Sequence, residues 1–213
     1  KEGTALTIGN YAFQECAQLM SLTVDGTISD FKTSTLSGSS AFESMLTTLN
    51  VRHANQFSAT LSGFSHLTAV DISGTTSFGS TEGTFKNCTA LVTVVLFNDA
   101  SSSSTVVLPK SMFEGCTSLS IVNLEKAELR NGREFYGCTS LDTADLTMSP
   151  SVSQEAFFGC TALIHFSAPQ AISIGARAFA SSGLQSVSDS MFPEVQSLGA
   201  GAFSGCTSLA TVS

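Results

Sequence analysis

Cysteine is the residue type whose chemistry and spacing stand out in this sequence. A cysteine can form half of a disulfide, ligate a metal ion or act as a nucleophile. An even number of cysteines favours disulfides when the chain is secreted. The residues around each cysteine decide between these roles. There are six: Cys16, Cys88, Cys116, Cys138, Cys160 and Cys206.

The same short motif surrounds all six cysteines, with the pattern F-x-x-C-x-x-L-x-x-V-x-L. Examples are FEGCTSLSIVNL from Phe113 and FYGCTSLDTADL from Phe135. Three degenerate copies, from Ala41, Leu61 and Ala178, raise the number of copies to nine. A period of about 20 to 29 residues with this core indicates a leucine-rich solenoid. The first Leu of each copy is at 19, 46, 67, 91, 119, 141, 163, 184 and 209.

The repeat predicts how the chain is built, because one copy is too small to bury its own apolar face and must stack on its neighbours. Val and Leu of V-x-L point to one side of a strand, so we expect a parallel sheet with these residues inside. We predict a single solenoid domain over residues 1–213, a piece of a longer array. Its sheet forms the concave face, short strands and turns form the other wall, and a one-turn or 3₁₀ helix follows each Phe. The expected inward pairs are Leu22/Val24, Leu49/Val51, Val70/Ile72, Val94/Leu96, Val122/Leu124, Ala144/Leu146 and Phe166/Ala168, followed by Val187.

The irregular copies predict where the solenoid departs from its repeat. The third copy has Leu61 at the Phe place and Phe64 at the Cys place. The eighth copy has Ser182 at the Cys place and is one residue short. The length differences fall after the V-x-L strands, so we expect bulging loops over residues 25–40 and 97–110.

The repeat resembles the BspA-like branch of the leucine-rich repeats over essentially the whole chain. The resemblance rests on the F-x-G-C-T-S-L-x-x-V-x-L units from Phe113, Phe135 and Phe203 and on the I-G-x-x-A-F units from Ile8 and Ile174. It implies a right-handed solenoid in a cell-surface or extracellular protein that adheres to host molecules. The resemblance does not identify any binding residue in this chain.

The repeat changes how the cysteines are interpreted. All six occupy one place in the motif, so in stacked coils they lie about 4.8 Å apart with parallel side chains. A disulfide needs converging side chains, and Cys16 and Cys206 have no cysteine in the adjacent copy. A straight column also gives no tetrahedral metal site. We interpret the cysteines as small buried fillers. A disulfide, or a reactive or metal-binding thiol, stays an alternative.

Other polar residues are dispersed over the predicted coils. His53, His66 and His165 fall on distant copies, so we expect no shared metal site or catalytic triad, no cofactor and no enzymatic activity. Asp71 and Asp145 face outward from separate coils and are interpreted as solvated. Asn87-Cys88-Thr89 is a formal glycosylation sequon that also fits the repeat turn.

Charge excludes some partners. The net charge is −8 and the pI is about 4.7, with nine dispersed Lys and Arg, so we expect no nucleic acid to bind. No apolar run reaches the roughly 18 residues of a membrane span. The oligomeric state is not indicated by these features.

The outward positions of the sheet define a binding hypothesis. They are mostly short hydroxyl and acidic side chains, with one apolar island formed by Val95, Phe97 and Ile121. Exposed apolar residues among polar ones are typical of interfaces, although strand propensity alone also explains Val and Ile. We predict a non-enzymatic module that binds a protein or glycan on another cell or matrix; the alternative is a structural or scaffold segment. The predicted binding face is Val95, Phe97, Ile121, Asn123, Thr143, Asp145 and His165, and the other outward positions include Ser21, Ser73, Ser186 and Ser188.

Overall fold

The chain is a parallel β-solenoid whose strands alternate between two walls. The computed structural model describes residues 6–36, 45–79, 82–97 and 104–213. Odd-numbered strands form the first wall, which is the predicted V-x-L sheet: β1 Ser21–Thr23, β3 Thr48–Asn50, β5 Ala69–Asp71, β7 Thr93–Val95, β9 Ile121–Val122, β11 Thr143–Asp145, β13 His165–Ser167, β15 Ser186–Val187 and β17 Thr211–Val212. Even-numbered strands form the second wall: β2 Ile28–Lys32, β4 Ala54–Ser58, β6 Ser77–Phe78, β8 Val106–Val107, β10 Ala127–Glu128, β12 Ser151–Val152, β14 Ser173–Ile174 and β16 Ser197–Leu198.

The first wall has the predicted register. Leu49 pairs with Leu22 on one side and Val70 on the other, and Ala144 pairs with Phe166. These central residues are buried, while their strand neighbours face outward. The nine first-wall strands in the described ranges enclose eight coils, so complete coils are slightly fewer than the nine predicted copies. Hydrogen-bonded pairing divides the wall into three sheets, β1-β3-β5-β7-β9, β11-β13 and β15-β17.

A column of phenylalanine rings fills the space between the walls. Neighbouring rings lie 5.2–5.9 Å apart between centroids along the column. Two of its members, Phe31 and Phe57, come from β2 and β4 rather than from the F-x-x-C place. Leu61 is buried at that place in the third copy, as predicted. The column is Phe31, Phe57, Phe85, Phe113, Phe135, Phe157, Phe179 and Phe203.

The segment between the Phe and the first-wall strand is a tight turn. The Cys116 N–H donates to the Phe113 carbonyl at 3.0 Å, and Gly115 between them has φ +75°. This left-handed conformation favours glycine and interrupts helical geometry. The predicted one-turn or 3₁₀ helix after each Phe is therefore wrong. The only helix in the described ranges is α1 at Thr33–Leu36, and no described helix is long and apolar enough to cross a membrane.

Two further sequence predictions need correction. The sequence predicts a bulge over residues 25–40, but β2 and α1 bury Ile28, Phe31 and Leu36, so residues 28–36 belong to the solenoid. Ser73, a predicted outward residue, is buried, because its N–H turns back to Asp71 Oδ1 at 3.2 Å. In the other expected bulge, β8 occupies Val106–Val107. Residues 37–44 and 98–103 lie outside the described part, and so does Ala41, the start of the second copy.

Candidate functional site

The apolar part of the predicted binding face is only partly accessible. Ile121 is 59% exposed at the start of β9. Val95 is half-buried, and Phe97 packs against the core. The island therefore presents mainly Ile121 to solvent.

The side-chain amide of Asn123 is hydrogen-bonded to the main chain of the preceding coil. Its Nδ2 donates to the Phe97 carbonyl at 2.7 Å, and its Oδ1 accepts from the Leu96 N–H at 2.8 Å. An amide that already satisfies two main-chain groups has less capacity left for a ligand. Asn123 thus joins two coils where β9 ends.

The other three residues of the predicted face come together at a groove. Thr143 of β11 is paired with His165 of β13, and Asp145 is paired with Ser167. All three predicted residues line a cavity of about 360 Å³ on the first wall. This volume is in the range of small-ligand sites. The lining is Thr143, Ala144, Asp145, Ile164, His165, Phe166, Ser167, Ser186, Ser188 and Met191.

The groove lies where the eighth copy departs from the repeat. That copy lacks one residue between Phe179 and Leu184, and Gly183 makes the shortened turn. A Cβ on Gly183 would lie 2.2 Å from the Thr161 carbonyl oxygen, so the close approach of the two main chains requires glycine. The shortened turn directly precedes β15, which begins at Ser186.

A second irregularity follows β15, where residues 188–190 are an insertion relative to the regular coils. In regular coils the N–H two residues after the central strand residue donates to the last residue of the next first-wall strand. For example, Leu146 N–H donates to the Ser167 carbonyl. The equivalent Ala168 N–H donates instead to the Met191 carbonyl at 3.0 Å. The residues 188–190 are thus looped out, and β13 and β15 belong to separate sheets. The irregular copy is visible in the sequence, but the groove is not, because the separation of two strands is not encoded in the repeat pattern.

The groove is polar and has no preformed relay. The Thr147 hydroxyl donates to Asp145 Oδ1 at 2.6 Å, and the Ser188 and Ser190 hydroxyls lie 2.8 Å apart. Over residues 104–213 the His165 ring makes no hydrogen bond to Asp145 or to a serine. Nucleophilic catalysis relies on such a hydrogen-bonded chain. In the described ranges there is also no group of three or more His, Cys, Asp or Glu placed to hold a metal ion.

The cysteine column is a set of free thiols with a hydrogen-bonding role. The Sγ of Cys116, Cys138 and Cys160 each donates to the carbonyl of the Phe-place residue one coil before, at 3.0–3.1 Å. Burial raises the pKa of the Cys160 thiol to about 12. A thiol kept protonated is a poor nucleophile. The buried-filler prediction is correct for these coils and for Cys88, but wrong for Cys16, which is exposed in the first copy.

His165 in β13 is separate from the other two histidines, as predicted, but His53 and His66 flank β4 within one coil. His53 and His66 are exposed, and His66 Nδ1 lies 3.2 Å from the Ser65 hydroxyl. Of the predicted outward carboxylates, Asp71 is not freely solvated. Its Oδ2 accepts from Arg52 Nε at 2.6 Å.

One polar feature at the turn edge was missed in the sequence. Glu114 accepts two hydrogen bonds from Arg133 at 3.1 and 3.2 Å and pairs with Lys86 at 3.2 Å. Glu155 continues the row through Arg133 at 3.6 Å and Arg177 at 3.2 Å. The signal was available, since Arg133, Glu155 and Arg177 each precede a column Phe by two residues. These pairs connect coils and leave the first wall free.

Comparison with known proteins gives the same repeat. A family model described as a BspA type leucine rich repeat region matches residues 2–102 and 82–210, in six copies. No curated protein matches the chain.

Two solved structures are similar to the chain. A leucine rich cell surface protein from Faecalibacterium prausnitzii shares 24% identity at a TM-score of 0.57, covering 79% of this chain and 42% of its own. This chain therefore spans less than half of that protein. A leucine-rich repeat protein from Bacteroides ovatus shares 20% identity at a TM-score of 0.39, covering 96% of this chain and 75% of its own. The first likeness agrees with the solenoid fold.

Proposed function

Since the chain belongs to the BspA-type leucine-rich repeat family, we propose that it is a non-enzymatic binding module of a cell-surface or secreted adhesion-type protein. Its ligand is a protein or a glycan on another cell or matrix. The ligand contacts the first wall, at the groove between β13 and β15. The observation that carries this proposal is the groove itself, which gathers Thr143, Asp145 and His165 around a cavity of about 360 Å³.

The solenoid supports this role because it holds the groove on a rigid base. Phe166, beneath the groove, packs edge-on against Phe157 and Phe179 with centroids 5.3 and 4.7 Å away. Binding surfaces on well-packed elements lose little conformational entropy when a ligand binds. Extended surfaces of this kind are what stacked repeats provide.

The proposed location draws on the family and on one similar structure. The F. prausnitzii structure is described as that of a cell surface protein. The hydroxyl-rich composition, with 35 Ser and 24 Thr, agrees with a surface that is polar but weakly charged.

A scaffold segment is the alternative, and in that role the groove would have no ligand.

A matched pair of variants on arrays of glycans and matrix proteins tests the proposal. Thr143→Trp places a large ring in the groove, and Ser21→Trp places it at the equivalent exposed position of β1. We expect wild type and Ser21→Trp to retain the same ligands and Thr143→Trp to lose them. Ile121→Asp tests the apolar island separately, since Ile121 is exposed and Phe97 is not. An unchanged ligand profile for Thr143→Trp, or an empty array for wild type, would contradict the proposal.

A further inference from the structure

The main chain of β13 lacks a partner on the groove side. In the regular coils a carbonyl at this place is paired: the Thr68 carbonyl accepts from Val92 and Thr93 N–H at 2.9 and 3.2 Å. Ile164 occupies the same place in its copy, one residue after the first Leu. Over residues 104–213 no main-chain hydrogen bond joins Ile164 or Phe166 to β15. The carbonyls of Ile164 and Phe166, together with the Phe166 N–H, are therefore left open at the groove.

Side chains add more acceptors and negative charge. Asp145 lines the groove, and exposed Asp142 directly adjoins the lining residue Thr143. Asp189, which follows the lining residue Ser188, lines a neighbouring cavity instead. The sequence around the groove supplies almost no positive charge to offset them. From residue 134 to the end of the sequence the only Lys or Arg is Arg177, which pairs with Glu155 at the turn edge.

We infer that the groove binds an extended basic segment of a partner protein, with an Arg or Lys side chain against Asp145. This inference rests on the proposed function and specifies its ligand. A guanidinium brings five N–H donors and no acceptor, which complements carbonyls and carboxylates. Serine and threonine hydroxyls can accept as well as donate, so they fit the same ligand.

The shape of the lining agrees with such a segment. Ile164 and Met191 provide apolar surface for the aliphatic stem of Arg or Lys while its charged head stays in water. The main-chain N–H groups of an extended peptide can bind the carbonyls of Ile164 and Phe166, as in strand addition. An anionic ligand would instead be repelled by Asp145 and the adjoining Asp142.

Fluorescent peptides of about eight residues test the inference. One peptide alternates Arg with Ser, and two matched peptides replace Arg by Gln or Glu. We expect wild type to bind the Arg peptide at least about fivefold more tightly than the Gln peptide and not to bind the Glu peptide. Raising NaCl from about 50 to about 300 mM should weaken binding severalfold, because exposed charges are screened.

Two charge-neutralising variants locate the site. Asp145→Asn should weaken the Arg peptide about three- to tenfold. Asp25→Asn removes the same charge from an exposed position near β1 on the same wall and should leave affinity unchanged. Equal affinities of the two variants, or equal binding of the Arg and Gln peptides, would overturn the inference. A neutral glycan that binds wild type and is blocked by Thr143→Trp would also overturn it while leaving the proposed function intact.

Discussion

The thiol of Cys138 donates a hydrogen bond to the main-chain carbonyl of Phe113, one coil earlier, with Sγ and O 3.1 Å apart. The same carbonyl accepts from the Cys116 N–H at 3.0 Å within its own turn, so the thiol uses the second lone pair of a buried oxygen. Cys88 makes the equivalent bond to Leu61, and Cys206 makes it to Phe179, both at 3.0 Å. The thiol therefore links the turn of each of these coils to the turn before it.

Cys138→Ala should destabilise the chain by about 2 kcal/mol, because it removes the second hydrogen bond to the buried Phe113 carbonyl and opens a small void. Cys16→Ala alters the same repeat position where the side chain is exposed, and it should change stability by less than about 0.5 kcal/mol. Urea unfolding of both variants measures the difference. Equal losses would show that the thiol has no role between coils.

Stability should fall steeply in alkali. Burial raises the pKa of Cys88 and Cys160 to about 12, whereas thiols in an unfolded chain ionise near pH 8.5. Above that pH the unfolded state releases protons that the folded state keeps, so each thiol lowers the unfolding free energy by about 1.4 kcal/mol per pH unit. Burial also raises the pKa of Cys116 and Cys138, which adds to the slope.

The alkaline slope is measured by urea unfolding at several pH values between about 7 and about 10.5. The double variant Cys88→Ala, Cys160→Ala should show a shallower slope than wild type. A wild-type stability that stays flat through this range would contradict the buried, protonated column.

Glu134 should make stability depend on pH below neutrality as well. Burial raises its pKa, against the lowering effect of hydrogen bonds from the Ser153 hydroxyl at 2.5 Å and from the Gly132 and Asn131 N–H groups, both at 2.9 Å. A raised folded pKa means that its stabilisation is complete below the ordinary pKa of about 4.3 and is lost as pH rises through the folded value.

Glu134→Gln keeps an oxygen for the two main-chain donors and cannot ionise. Relative to wild type, its unfolding free energy should improve as the pH is raised from about 4 to about 7. The measurement is the difference in unfolding free energy between the two proteins at each pH. A difference that is constant, or that shifts in favour of wild type at higher pH, would contradict the raised pKa of Glu134.

Two glycines separate backbone strain from steric clash. Gly137 has φ +72°, and an added Cβ would meet nothing within 4 Å, so Gly137→Ala should cost about 1 kcal/mol from the left-handed conformation alone. At Gly183 a Cβ would lie 2.2 Å from the Thr161 carbonyl oxygen, so Gly183→Ala must move the main chain beside the groove. We expect a larger loss of stability there, by more than about 2 kcal/mol. Thermal unfolding of the two variants compares them; a smaller loss at Gly183 would mean that the shortened turn is not tightly packed.

The repeat pattern was sufficient to predict the first wall. Alternation within V-x-L decides which side chain is buried, and this alone places Leu49 opposite Val70 and Ala144 opposite Phe166. Phe31 was missed because it joins the Phe column from β2, outside the repeated motif. Burial by packing across coils does not require that two residues occupy the same place in the repeat.

The groove could be predicted only in part. Thr143, Asp145 and His165 were selected as outward residues, but their convergence depends on the space between β13 and β15. The shortened turn at Gly183 and the looped-out residues 188–190 flank β15 at that space, and Met191 belongs to the lining. Asn123 was also selected as an outward residue by periodicity, but its amide is hydrogen-bonded to the main chain and does not join the groove.

The single register that buries Val, Leu, Phe and Cys in the interior coils is tested most directly by the rate at which each thiol is labelled in the native protein, resolved by mass spectrometry. Cys16 should react at once, Cys206 more slowly, and Cys88, Cys116, Cys138 and Cys160 only when the chain unfolds. Labelling of Cys138 as fast as Cys16, or a disulfide between any two of the six, would contradict it.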